Sequence, residues 1–286
     1  MSRRSSATSS TGVGERPSAA RRVYRQQVRE LFDQARVVAR EQGLGVAAVK
    51  GIRFPFRPLF VSGAIRALRE QRASVRSKEE LVDLVRGFNH HGIAITSWQK
   101  TDEIVSLLEV VERLRPATVM EIGTASGGTL FMLTQVVPDD AVIVSVDLPG
   151  DEQSGSPQDR PAWRTKLYEG FARAHQRVHA IRADSHSPEA FETVRGLLGG
   201  RQIDFLFIDG DHTYDGVRGD FERYSPLVRE GGLVAFHDIV PGGAGKHGDP
   251  GDVPAFWREI RERHDGAQEF VEDWEWGSCG IGVIQI

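Results

Sequence analysis

The chain predicts an α/β fold: a doubly wound, mostly parallel seven-stranded sheet with an antiparallel C-terminal edge strand, preceded by a helical N-terminal extension. Three observations carry that expectation. Short apolar runs alternate with helix-length segments in the βαβ manner. The first of these runs, near 118–122, ends in a turn of small residues that opens a helix. Several later runs end in acids or histidines, and in an open parallel sheet the polar groups at strand carboxyl ends gather around a ligand.

In chain order, residues 1–20 are rich in Ser, Thr, Gly and Arg without an apolar stretch, which predicts a disordered tail and no secretory leader. Arg21 to Gln42 reads as a helix, with Val28, Leu31, Phe32, Ala35, Val38 and Ala39 at helical spacing. Pro55 and Pro58 interrupt the apolar segment 54–61, and a second helix is expected over 62–71. Ser77 with Glu80 forms a capping-box pattern opening a third helix through Phe88. A fourth runs from Thr101 to Leu114, with Ile104, Leu107, Leu108 and Val111 on one face. Strands are expected near 118–122, 142–146, 178–182, 204–208, 232–236 and 279–285, and one more near 268–272. The short connection 273–278 would join the last two as a hairpin. This divides the chain into a tail (1–20), a basic helical extension (21–79) and a main domain (80–286).

With 286 residues and 40% hydrophobic content, the chain can bury a full α/β core. One cysteine, Cys279, excludes an intramolecular disulfide framework and a cysteine-cluster zinc site, and points to a reducing cytoplasm. No apolar run reaches membrane-spanning length, so no stable membrane insertion is expected. The net charge of -4 conceals an asymmetry: residues 1–76 carry 16 basic against 5 acidic side chains, the remainder 20 against 35. The basic extension is expected to meet the acidic body of its own subunit or of a neighbouring one, the latter making a homo-oligomer. Aromatics are not interleaved with its basic residues as a nucleic-acid platform would need, so no nucleic-acid partner is expected.

Small residues at Gly123, Ala125, Ser126, Gly127 and Gly128 let the turn after the first strand run tight and approach a ligand closely, with helix amides from Thr129 to Val137 behind it. Glu121 selects the ligand. A dinucleotide would set its diphosphate beside this carboxylate, whereas S-adenosyl-L-methionine (SAM) has no phosphate and carries an ammonium and a sulfonium. Gly123-x-Ala125-x-x-Gly128 also fits a degenerate dinucleotide fingerprint, so an NAD(P)-dependent oxidoreductase stands as the alternative. Asp147, 24 residues after Gly123, is placed for ribose hydroxyls in either class. Asp184, after the third strand, would reach the adenine amine or cap the next helix.

The fourth strand ends in Asp209-Gly210-Asp211-His212 and the fifth in His237-Asp238. Adjacent strand ends lie about 5 Å apart, so Asp209 and Asp238 can share a cation such as Mg2+, with His212 over a substrate hydroxyl. His90 and His91 read as loop residues, and Trp257, Trp274 and Trp276 as either pocket lining or core. The loop 240–253, with Pro241, Lys246, His247 and Asp252, is placed to fold over an acceptor.

The run from Glu121 to Thr129, then Phe207-Ile-Asp-Gly-Asp-His-Thr-Tyr-Asp-Gly-Val, then Gly231-Gly-Leu-Val-Ala-Phe-His-Asp-Ile resembles class I SAM-dependent methyltransferases. Within them it is similar to the branch of cephalosporin-hydroxylase-like proteins and natural-product O-methyltransferases. The resemblance covers roughly 80–286 and implies a Rossmann-like methyltransferase fold. It implies O-methylation of a hydroxylated small molecule, a natural product or a sugar, by in-line displacement. It also implies a metal at Asp209 and Asp238. His237, or Ile239 on the other side of Asp238, stands where the family has a second oxygen ligand, a departure that suits a softer ion or none. The implied base is Asp211 or His212, and His212 is favoured because its ordinary pKa lies near physiological pH. Gln99 becomes a cofactor-edge contact by the same similarity. A non-catalytic SAM-binding partner protein is the remaining alternative.

Overall fold

A computed structural model describes residues 57–149, 161–242, 251–275 and 279–286. The expected tail, the helix Arg21–Gln42, Phe54 to Phe56, the stretch of the 240–253 loop bearing Lys246 and His247, and Trp276 lie outside the described residues.

Two helices open the described chain, α1 (Arg57–Arg72) and α2 (Lys78–Gly87). The first begins five residues before the expected 62, because Pro58 falls in its first turn, where a missing N–H costs nothing. The capping box is present: Ser77 Oγ accepts from Glu80 N at 3.2 Å, while the Glu80 carboxylate takes Arg76 N at 2.6 Å. Of the two expected loop histidines, His91 lies in a turn and His90 in a short strand. His90 ends β1 (Asn89–His90), which pairs with β2 (Ile93–Ala94), and His91 stacks on Phe60. Helix α3 (Thr101–Leu114) then leads into the sheet.

The remaining elements are β3 (Thr118–Ile122), α4 (Gly128–Val136), β4 (Val142–Asp147), α5 (Trp163–Glu169), β5 (Arg177–Arg182), α6 (Pro188–Leu198), β6 (Ile203–Ile208), α7 (Tyr214–Tyr224), β7 (Val228–His237), α8 (Val253–Arg261), β8 (Gln268–Phe270) and β9 (Ile281–Gln285). Seven strands form one sheet in the order β5-β4-β3-β6-β7-β9-β8. Strands β3 to β7 are parallel, while β9 runs antiparallel to both β7 and β8. The expected C-terminal hairpin is there, and β9 threads inside it so that the short β8 takes the outermost place.

Successive side chains on a strand face opposite ways, and both faces of this sheet are covered. Val119, Ile143, Phe205 and Phe207 pack with α1 to α5, whereas Met120, Val144, Leu206 and Phe236 pack with α6 to α8. This is why β3 is buried at every position, Glu121 included. Strand β7 begins four residues before the expected 232, the pairing with β6 shifting register between Ile203 and Phe205 while Gly231 takes φ +74. Strand β9 begins two residues after the expected 279, because Cys279 (φ +68) and Gly280 (φ +80) are left-handed and cannot continue a strand. The chain leaves β3 toward β4 and β5 on one side and returns to β6 and β7 on the other, so a crevice opens at the carboxyl ends of β3 and β6. Residues Arg57–Ile286 make one compact unit around this sheet.

Candidate active site

At the crevice floor, Gly123 N donates to Val146 O at 2.9 Å and Asp209 N to Ile122 O at 2.9 Å, so the exits of β3, β4 and β6 are tied together. Gly123 has φ +92, and a Cβ there would lie 1.9 Å from Asp209 O. A Cβ at Gly127 would meet the Tyr168 ring at 2.6 Å, and one at Gly128 the Thr96 carbonyl at 2.5 Å. The closeness expected toward a ligand at these three glycines is thus closeness to protein: their missing side chains make room for β6, α5 and the 95–96 backbone. The loop's carbonyls are held as well, Ala125 O by the Tyr168 hydroxyl at 2.7 Å and Ser126 O by Arg164 at 3.3 Å. Asp147 ends β4 and accepts from Ala125 N at 3.0 Å, fixing the loop from the side on which a ribose is expected.

Glu121 is fully buried. One carboxylate oxygen accepts from the Ser145 hydroxyl at 2.5 Å, while Oε1 has no hydrogen-bond partner. Burial, reinforced by the nearby Asp209 and Asp147 charges and opposed by Ser145, pushes its pKa up to about 8. Glu121 is therefore a neutral acid at pH 7, where the sequence reading had a carboxylate.

Asp209 is in the opposite state. Burial raises its pKa, but His237 and His212 outweigh that and hold it down at about 2. Its Oδ2 accepts from Gln99 Nε2 at 2.8 Å, and Gln99 Oε1 accepts from Thr129 at 3.0 Å, so a buried amide links Asp209 to the first turn of α4. Asp209 Oδ1 lies 3.2 Å from His237 Nδ1 and 3.8 Å from His212 Nε2. Asp238, itself at φ +61, places Oδ2 3.3 Å from His237 Nδ1 and 3.5 Å from His212 Nε2, while Oδ1 accepts from Cys279 N at 3.0 Å. Burial disfavours a charged His237, yet the two carboxylates raise its pKa well above the ordinary range, so Nδ1 donates to them. The structure thus brings Asp209, His212, His237 and Asp238 together. Asp211 is turned to another task, accepting from Thr213 N at 2.9 Å before α7 and covering Gly216. Asp184 forms a turn before α6, accepting from His186 N at 2.9 Å.

A family model described as a methyltransferase domain matches residues 120–239, which span Glu121, the small-residue loop, Asp147 and both polar strand ends at β6 and β7. Over those residues the chain matches a methyltransferase domain. An uncharacterised protein of Acanthamoeba polyphaga mimivirus is 32% identical over 42% of this chain, and the match spans about half, 51%, of that relative. A protein of Mycobacterium sp. (strain JLS), named provisionally as an O-methyltransferase, is 25% identical over 74% of this chain and 83% of its own length. Among solved structures, the O-methyltransferase from Bacillus cereus in complex with SAH shares the fold at a TM-score of 0.50 and 15% identity, over 79% of this chain and 100% of that one.

For a methyltransferase domain the Glu121 pocket passes a test of fit. Its orphaned, buried Oε1 is a ready acceptor for an ammonium group, and an arriving cation would restore the charge that burial suppresses. Of the two readings open for the tryptophans, Trp257 takes the core one at 2% exposed, and Trp274 takes neither, lying 51% exposed at the surface. Sequence reasoning missed Ser145, Tyr168, Arg164 and Glu103. Ser145 is found only through register, since it sits opposite Glu121 across β3 and β4. Glu103 reads as an ordinary acid in the first turn of α3, yet it is 1% exposed and its carboxylate accepts from Glu272 N and Gly280 N at 3.1 and 2.9 Å. No sequence signal marks it.

Proposed function

We propose that this chain transfers a methyl group from SAM to a hydroxyl of a small molecule, with His212 as the base. The reading rests on one observation: His212 Nε2 stands beside two carboxylate oxygens, 3.5 Å from Asp238 and 3.8 Å from Asp209, at the rim of the crevice, with its side chain 39% exposed. An imidazole so placed accepts a hydroxyl proton, and the neighbouring carboxylates stabilise the imidazolium that results. The provisional O-methyltransferase name of the mycobacterial relative supports the choice of an oxygen acceptor.

Glu121, the 123–127 loop and Asp147 would hold the cofactor, which supplies a methyl carbon on a sulfonium to the acceptor oxygen as the carbon–sulfur bond breaks. Holding oxygen and methyl in line contributes up to about 7–11 kcal/mol in favourable cases. One further ligand fits in part. Asp209, His212 and Asp238 offer atoms within 4.8 Å of one another, yet Gln99 and Cys279 N already engage the outer oxygen of each acid. Two oxygens and an imidazole nitrogen suit Mn2+ or a softer ion better than Mg2+, and such an ion would polarise the acceptor hydroxyl. His237 fills the position of the second oxygen ligand and points its Nδ1 proton between the acids, supplying positive charge from the chain itself. Asp211 remains with α7, which favours His212 over it as the base.

The test is methyl transfer from SAM to a panel of phenolic, catecholic and sugar hydroxyls, read by mass spectrometry as the gain of one methylene, with and without Mg2+ or Mn2+. His212→Ala should slow turnover by about 100- to 10,000-fold while leaving the SAM dissociation constant unchanged. Unchanged turnover would remove His212 from this role, and calorimetry showing NAD bound with SAM excluded would overturn the whole reading.

A further inference from the structure

Behind the acceptor carboxylates lies a second group of ligand-type side chains. Glu103 (1% exposed) from the start of α3, His237 (5%) from the end of β7 and Cys279 (8%) from the turn before β9 bring a carboxylate oxygen, a ring nitrogen and a sulfur within 4.8 Å of one another. His237 Nδ1 is committed to Asp209 and Asp238, and its Nε2 is buried with no hydrogen-bond partner. A buried imidazole nitrogen left unpaired costs desolvation free energy with nothing in return, so it marks a place for a ligand.

From this we infer that Glu103, His237 Nε2 and Cys279 form a buried binding site for Zn2+. The donor set selects the metal. A thiolate, an imidazole and a carboxylate make a borderline-soft set that suits Zn2+ and disfavours Mg2+ or Ca2+, which want oxygen throughout. The charges balance, since one thiolate and one carboxylate neutralise a divalent cation where an uncompensated charge would be costly. Binding replaces the thiol proton and the Nε2 proton of His237 by bonds to the metal and releases both to solvent, while Nδ1 keeps its proton for the two acids. The surroundings of His237 match those of a metal-bound histidine, whose other ring nitrogen donates to a carboxylate that fixes its orientation. Here two acids do so, and they are the acids of the proposed acceptor site. The metal would pin α3, β7 and β9 together beneath the crevice and hold His237 in place for Asp209 and Asp238.

The full chain, with its single cysteine, reports on this site without ambiguity. Purified apo-protein titrated with Co2+ should show the intense near-ultraviolet charge-transfer band of a thiolate–cobalt bond, displaced by one equivalent of Zn2+. Bound Zn2+ should also slow alkylation of Cys279 by at least about tenfold relative to the chelator-treated protein, a wild-type measurement independent of any variant's folding. Cys279→Ser should abolish the band. Asp209→Asn should keep it while weakening Zn2+ binding by roughly 10- to 100-fold, the usual effect of removing a carboxylate behind a metal-bound histidine. A cobalt complex without a thiolate band, or alkylation indifferent to Zn2+, would overturn the assignment. Neither result bears on methyl transfer, because a cation at Asp209, His212 and Asp238 has no sulfur ligand.

Discussion

Glu121 and Asp209 are neighbours at the ends of adjacent strands, yet one is pushed up to about 8 and the other held at about 2. Sequence position identifies both as acids facing the crevice. It does not identify their charge, because that depends on burial and on groups brought in by other elements: Ser145 and Asp147 from β4 for Glu121, and the two histidines that follow β6 and end β7 for Asp209. A consequence for ligand binding follows. If an ammonium group docks on Glu121 Oε1, the carboxyl must ionise, so binding of SAM at pH 7 should release a proton to the buffer. Calorimetry in two buffers of different ionisation enthalpy would show this as a difference in apparent heat. Affinity should rise with pH up to about 8 and then level. Glu121→Gln should lose both effects, and a wild type with no buffer dependence would place the ammonium elsewhere.

At the scale of elements, the strands were legible because a sheet covered on both faces must be apolar along its whole width. Residues 118–122 are a strand in sequence pattern and structure alike. Less legible were the places where backbone sign decides the outcome: Gly231, Asp238, Cys279 and Gly280 are left-handed and redraw the ends of β7 and β9. The role of Trp257 was equally hidden, since an aromatic on an amphipathic helix suits a pocket or a core. Packing decides it. Its ring fills the space left by Gly282, where a Cβ would lie 2.6 Å away, and its Nε1 donates to Glu269 at 2.7 Å. Trp257→Ala should therefore cost about 3–5 kcal/mol of stability by chemical denaturation, and Trp257→Phe distinctly less. Acceptor KM should stay unchanged in whichever variant folds, whereas a ring lining the acceptor pocket would move KM first.

For the whole molecule, the two acids make stability depend on pH in opposite directions, Asp209 in the sense of ordinary acid lability and Glu121 against it. Asp209, held at about 2 against an ordinary 3.8, adds stability that is present above pH 3.8 and is lost as pH falls through about 2. Glu121 does the reverse. Its folded pKa of about 8 stands above the ordinary 4.5, so its contribution is complete below pH 4.5 and drains away as pH rises toward about 8, where the folded state must at last ionise a buried carboxyl. Glu121→Gln keeps the shape and the neutral charge at every pH. The variant's melting temperature should therefore gain on that of the wild type from about pH 5 upward, with the gap widest near pH 8 and constant beyond it. Saturating SAM should shrink the gap, because a bound ammonium group would compensate the ionised Glu121 in the wild type. A gap that stays flat across this range would mean that Glu121 is already ionised in the folded protein, with a cation from the chain itself beside it.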